Sequence, residues 1–181
     1  FSDDLFDAQT QQHLDLYHAQ GSIRTAETET SFFACEGLDA FCFTVNDQRK
    51  TPESICIKLK NLRDMEMRHN SQLALSSFKV IDDVIVLTQT FTEDDYYCAS
   101  AVAVKVVGKN TKIRFNNESG GKHFGVEGRH VPILGMETER EMRLCVEPTP
   151  GEFEIYVASY ATFDRTRDVP ETAAAIATRA A

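Results

Sequence analysis

No stretch of this 181-residue chain approaches the ~18 uncharged apolar residues that a membrane-crossing helix needs; the longest apolar run, Cys98 to Val104, is strand-sized. Basic clusters are also missing: Lys and Arg number 19 against 28 Asp and Glu, giving a net charge of −9 and a pI near 5.0. That balance repels a phosphate backbone, so nucleic acid is not an expected partner. The acidic groups at Asp82-Asp83, Glu93-Asp94-Asp95 and along Glu137 to Glu141 read as a solvated surface, with an acidic docking site as the sharper alternative.

Catalytic and metal signatures are absent as well. The five cysteines, Cys35, Cys42, Cys56, Cys98 and Cys145, form no Cys-x-x-Cys, and none pairs with histidine at zinc spacing. His13 and His18 are five apart, about 140° around a helix, and His69, His123 and His130 fall in predicted loops. The glycine-rich Gly120 to Gly125 lacks the Gly-Lys-Ser/Thr order of a phosphate loop, and there is no Gly-x-Ser-x-Gly. Neither an enzyme nor a resident metal or cofactor is expected. Two readings of the cysteines stay open: secreted disulfides with one odd thiol, or reduced cysteines in a cytosolic protein. The Asn117-Glu118-Ser119 sequon, beside Gly120-Gly121, favours secretion and glycosylation at Asn117. A chain that starts Phe1-Ser2-Asp3, with no initiator Met, reads as already processed.

What is present is strand-like sequence. Ser22 to Ala34, Asp39 to Val45, Ser54 to Leu62, Leu73 to Val80, Val84 to Phe91, Tyr96 to Val107, Thr111 to Phe115, Glu141 to Val146 and Glu152 to Tyr160 are strand-length runs rich in β-branched and aromatic residues. Between them lie Asn46-Asp47, Thr51-Pro52, Asp82-Asp83, Gly108-Lys109-Asn110, Asn116 to Gly128 and Pro148 to Gly151, which carry turn chemistry. Before Gly21 a helix is predicted, with Ser2 as its cap and Leu5, Phe6, His13, Leu16 and Tyr17 near one face; after Asp168, Pro170 and Ala173 to Ala177 predict a second. Eight or nine antiparallel strands without crossover helices, in one domain spanning 1–181, imply a barrel or a sandwich.

The order of parts, with Phe6-Asp7-Ala8-Gln9 and then Gly21-Ser22-Ile23, resembles the opening of a lipocalin, in which a Gly-x-Trp begins the first strand. Ile23 stands where that Trp would be, and the chain has none. Phe32-Phe33-Ala34-Cys35-Glu36-Gly37, and Glu154 to Tyr160 followed by Asp168-Val169-Pro170, are similar to the tick salivary lipocalins of the histamine-binding group. The resemblance implies an eight-stranded up-and-down antiparallel barrel with an N-terminal helix and a C-terminal helix packed outside. It implies a secreted protein that sequesters a host mediator, an amine, fatty acid, leukotriene or sterol, to blunt inflammation or immunity. Those proteins carry cysteines in and after the final helix, whereas nothing here lies beyond Cys145, so their disulfide pattern does not carry over.

If Ile23 points into such a barrel, period-2 alternation sends Thr25, Glu27, Glu29 and Ser31 the same way, and two buried carboxylates then call for a cation. A protonated amine answers that need, and Phe41, Phe43, Tyr156 or Tyr160 would add cation–π contact where they face inward. With the register shifted by one, Arg24, Ala26, Thr28, Thr30 and Phe32 line the interior and Glu27 and Glu29 face water, which suits a lipid or sterol. A reading of another class makes the fold a scaffold whose loops, Glu93 to Tyr97 or Asn116 to Gly128, engage a host protein.

Overall fold

The computed structural model describes residues 9–61, 64–118, 125–126, 129–130 and 139–181. In chain order the strands are β1 (Gln11–Asp15), β2 (Gln20–Arg24), β3 (Thr28–Ala34), β4 (Ala40–Asp47), β5 (Cys56–Asn61), β6 (Glu66–His69), β7 (Gln72–Ile81), β8 (Val84–Glu93), β9 (Tyr96–Val107), β10 (Thr111–Glu118), β11 (Gly125–Val126), β12 (Arg129–His130), β13 (Glu139–Val146) and β14 (Gly151–Thr162). One helix, α1 (Val169–Ala180), follows.

Two-residue turns set much of this order. Asp82 and Asp94 take left-handed φ values of 53° and 49° and join β7 to β8 and β8 to β9, so part of the acidic sequence is hairpin chemistry. The helix expected before Gly21 is not there among the described residues, since 11–15 pair with 20–24 instead. Asp15 accounts for this: its carboxylate accepts the amides of Tyr17 and His18, and Ala19 at φ 52° completes the reversal. Ser2 and the rest of the expected helix start lie outside the described residues.

An all-β fold is correct; the closed eight-stranded meander is not. Nine strands form one antiparallel sheet in the order β1-β2-β3-β4-β14-β9-β8-β7-β6, while β10-β13-β5 make a separate sheet. The final long strand inserts between β4 and β9, so β4 never pairs with its successor and β5, β10 and β13 pair apart. Strands β1 and β6 are left as the two edges.

The alternation in β9 explains how both faces of the sheet's centre are covered. Ala99, Ala101 and Ala103 join Val84, Val86 and Ala158 against Val169, Ala173, Ala174 and Ala177 of α1, small residues that let the helix lie close. On the opposite face Ile85, Val104, Val106 and Phe153 pack on Leu59, Met142, Leu144 and Val146 of the three-stranded sheet. As predicted, Asp168 caps α1, its Oδ1 accepting the Glu171 amide at 3.3 Å. Cys56 and Cys145 face each other across β5 and β13 and form a disulfide, whereas Cys35, Cys42 and Cys98 are free thiols.

With Ile57, Leu59, Met142 and Leu144 turned inward, period 2 puts Lys58 and Lys60 of β5, Arg143 of β13, and Lys112 and Arg114 of β10 on the outer face. A local basic cluster therefore exists, contrary to the reading of the linear sequence. The cations are dispersed along the chain and are gathered only by strand pairing.

Candidate functional site

Beyond the reach of α1, on the same face of the large sheet, strands β1 to β4 and β14 frame a groove of about 700 Å³. Its lining includes His13, Asp15, Ser22, Glu29, Ser31, Thr44, Asn46, Glu152 and Glu154. The register arranges these side chains in rows across the strands. Arg24, Glu29, Asn46 and Glu152 make one row, and His13, Ser22, Ser31, Thr44 and Glu154 the next. The second row is a floor of hydroxyls, with Ser31 Oγ hydrogen-bonded to Thr44 Oγ1, between an imidazole and a carboxylate. Val107 adds an apolar side chain, whereas Val45 and Phe153 turn theirs to the opposite face.

Four carboxylates share this groove under different restraints. Asp15 is hydrogen-bonded by the His18 ring at 2.7 Å, and this bond with the His18 amide holds its carboxyl below the usual range. Glu29 accepts from Arg24 Nη2 at 2.5 Å on the groove's exposed rim. Glu154 accepts the Tyr156 hydroxyl at 2.7 Å, and Glu152 accepts Asn46 Nδ2 at 3.4 Å. Neither Glu152 nor Glu154 has a cationic side chain within salt-bridge distance among the described residues. Burial, reinforced by the bond to Glu154, pushes the Tyr156 phenol well above its ordinary range, so it stays a donor. Burial likewise raises the neighbouring Cys42 thiol.

Of the residues expected to line a cavity, Glu29 and Ser31 do so. Glu27 and Thr25 do not: they sit in the turn between β2 and β3, where Thr25 Oγ1 accepts the amides of Glu27 and Thr28 and Glu27 is exposed. That turn breaks the alternation, so Ile23 pairs with Thr30 and shares a face with Phe32, away from Glu29. Phe41 and Phe43 also lie on that opposite face, with Phe43 5.8 Å from Phe32 between ring centroids. Tyr156 lies one row beyond Glu154, and Tyr160 packs against the cluster beneath α1. Asn117 falls at the end of β10, and Ser119 of its sequon lies outside the described residues.

Asp15, Thr44, Asn46, Glu152 and Glu154 were missed by sequence reasoning. Alternation in Thr44-x-Asn46 and Glu152-x-Glu154-x-Tyr156 marks each run as one-faced, but nothing in the chain order says that β14 lies beside β4. Among the described residues no three His, Cys, Asp or Glu side chains are placed to hold a metal ion. The carboxylates are spread along the groove and do not converge on a point. No family model matches the chain, and no curated protein matches its sequence.

Proposed function

We propose that this chain is a secreted binding protein that sequesters a small cationic, amphipathic molecule in the open groove of its large sheet, without chemistry. One observation carries the reading: four carboxylates and a row of hydroxyls line a single cavity of about 700 Å³. Glu152 and Glu154, lacking a protein cation, are the acceptors for an ammonium group, while Glu29 must exchange Arg24 for the ligand. Val107 offers an apolar side chain to the ligand's body, and a biogenic amine such as histamine or serotonin has both parts. The disulfide supports an oxidising compartment. A fatty acid fits worse, because its carboxylate would enter a negative groove.

Titration calorimetry with histamine and serotonin tests the proposal. Each charge-assisted bond is worth ~1.5–3 kcal/mol, so Glu154→Gln is expected to weaken binding by roughly 10- to 100-fold. Unchanged affinity in Glu154→Gln and Glu29→Gln, or tighter binding of a fatty acid, would sink it.

A second reading, a scaffold that docks a partner protein, is favoured by the β8–β9 turn. There Tyr96 and Phe163 are 51% and 71% exposed, their rings stand 6.1 Å apart, and Arg165 donates to the Tyr96 carbonyl. Tyr96→Ser with Phe163→Ser would abolish partner capture on this reading and leave amine binding intact.

A further inference from the structure

The face of the large sheet that points away from the groove is only partly covered. The three-stranded sheet packs over Val45, Val106 and Phe153 at one end of it, and that cover fades at Val157 and Leu87, which are only partly buried. Beyond them, strand alternation keeps presenting uncharged side chains. Every residue that β9 turns to this face, from Tyr96 to Val106 in steps of two, is uncharged, and so is every one of β14, from Gly151 to Ala161. Strands β3 and β4 continue the face with Phe32, Phe41 and Phe43. Phe41 and Val102 are 53% and 36% exposed here, and the Tyr96 and Phe163 rings close the far end. Charge returns only at the margins, with Glu93 opposite Tyr96 and Lys60 across a shallow pocket from Leu87 and Val102. On a chain that is 26% charged, an exposed band of sheet without a charge marks a surface built for apolar contact.

We propose that this band is the interface of a two-fold homodimer, its occupant a second copy of this chain. Charge is the first reason: a net −9 on each copy opposes association, least where the facing surfaces are neutral, and a strongly charged partner finds no counter-charge on the band. Shape is the second. Rings stand at both ends, Phe41 and Phe43 at one and Tyr96 and Phe163 at the other, with the small Ser100, Ser159 and Ala161 between. Turning a copy end for end sets ring over ring and small over small, the self-complementarity that an isologous interface requires. Size is the third. From Ile155 to Phe163 the band runs about 27 Å along β14, and three strands make it about 14 Å wide, close to 400 Å² in plan. A rim one side chain wide brings it to the ~800 Å² a side of a standard interface. The band also continues the core of Ile85, Val104 and Leu144, so sheet-on-sheet packing at ~10 Å extends from one chain to the next. This gives the surface around Tyr96 and Phe163 one occupant, and the groove, on the other face, stays open in the dimer.

Interfaces of this size run from µM to pM, so the intact protein at ~100 µM should sediment at twice the 20.3 kDa of the chain. Phe41→Lys and Phe163→Glu should each weaken dimerisation roughly a thousandfold, because every contact occurs twice across the axis and an interface ring is worth about thirtyfold. Mixed in equal amounts, the two variants should dimerise again, since end-for-end packing sets position 41 of one copy near position 163 of the other. Both side chains are exposed in the single chain, and matching melting curves show that the variants fold. A parent that is monomeric at ~100 µM, or variants that dimerise as the parent does, overturns the proposal. A mixture that stays monomeric overturns the end-for-end packing. Flotation of the parent with phosphatidylcholine vesicles, lost in Phe41→Lys, overturns the choice of a second copy in favour of a lipid surface, and a monomeric parent that captures a different protein leaves only the second reading. No arm uses an amine, so failure here and failure of the groove reading are told apart.

Discussion

Replacing both Cys56 and Cys145 with alanine removes a cross-link between residues 89 apart in sequence. In the chain-entropy model a closed loop of that length restricts the unfolded ensemble by ~4.6 kcal/mol, and natural disulfides in small domains are worth ~2–5 kcal/mol. The native state should tolerate the change, because the two residues sit opposite each other on paired strands whose ladder persists without the bond. For a chain of this size each kcal/mol moves the melting temperature by ~2–4 °C, so the double variant should melt about 10–18 °C below the parent. Thermal unfolding followed by circular dichroism gives the number, and thiol titration of the denatured, unreduced parent should count three free thiols. A melting temperature within 2 °C of the parent, or five titratable thiols, would refute the reasoning. Reduction of the parent should reproduce the double variant's melt, which separates loss of the cross-link from loss of the two side chains.

Two further outcomes follow from packing and charge. A Cβ at Gly21 would stand 2.1 Å from Phe32 Cζ, so Gly21→Ala should cost ~1–3 kcal/mol in urea unfolding, and Phe32→Leu should recover at least ~0.5 kcal/mol of it; additive losses would show that the ring does not lie over Gly21. Asp47 is 2% exposed; burial opposes its ionisation, yet hydrogen bonds from the Arg49 side chain at 2.9 Å and from its amide outweigh that and hold the carboxyl below the usual aspartate range. A depressed folded pKa gives stability that is complete above the unfolded value and is lost as pH falls through the folded one. Stability from pH 5 down to pH 3 should therefore decline less steeply in Asp47→Asn than in the parent, and parallel profiles would count against the pair.

Strand identity was legible in the middle of the chain, but Ser22 to Ala34, expected as one strand, is two strands and a turn, and Gln11–Asp15 and Glu66–His69 were not expected. Tyr96–Val107 has the expected limits, and Val84–Glu93 and Gln72–Ile81 differ only at their ends, because long alternating runs bounded by Asp-Asp turns leave little choice. Partner choice was not legible. Expecting a meander puts β4 beside β5, whereas β4 pairs with β14, more than a hundred residues on. The N-terminal segment misled for a local reason: His13, Leu16 and Tyr17 have helical spacing, but one carboxylate, Asp15, closes a turn among them. Leu16 and Tyr17 then stand 82% and 92% exposed at the hairpin tip, where a buried helical face was expected. Of the candidate site, Glu29 and Ser31 were reached from a start at Ile23 that faces the other way, and they share a face only because alternation holds within Thr28–Ala34. Glu27 was misplaced because the start was taken at Ser22, and the Thr25 turn resets the phase.

The same period-2 alternation underlies the acidic groove and the basic row, and they carry opposite charge. In β3, β4 and β14 it leaves acids and hydroxyls on the part of α1's own face that the helix does not cover, because the helix is only 12 residues long and its small residues lie against β8, β9 and one end of β14. In β5, β10 and β13 it leaves cations on the outer face, because the inner face is taken up by the core with Ile85 and Val104. A net charge of −9 averages over these two surfaces and describes neither. Charge reaches a partner through faces, and faces are set by register. Moving β5 by one residue against β13 would turn Lys58 into the core and Leu59 to solvent, so the inter-sheet packing of Leu59 and Leu144 is also what fixes the basic row in place.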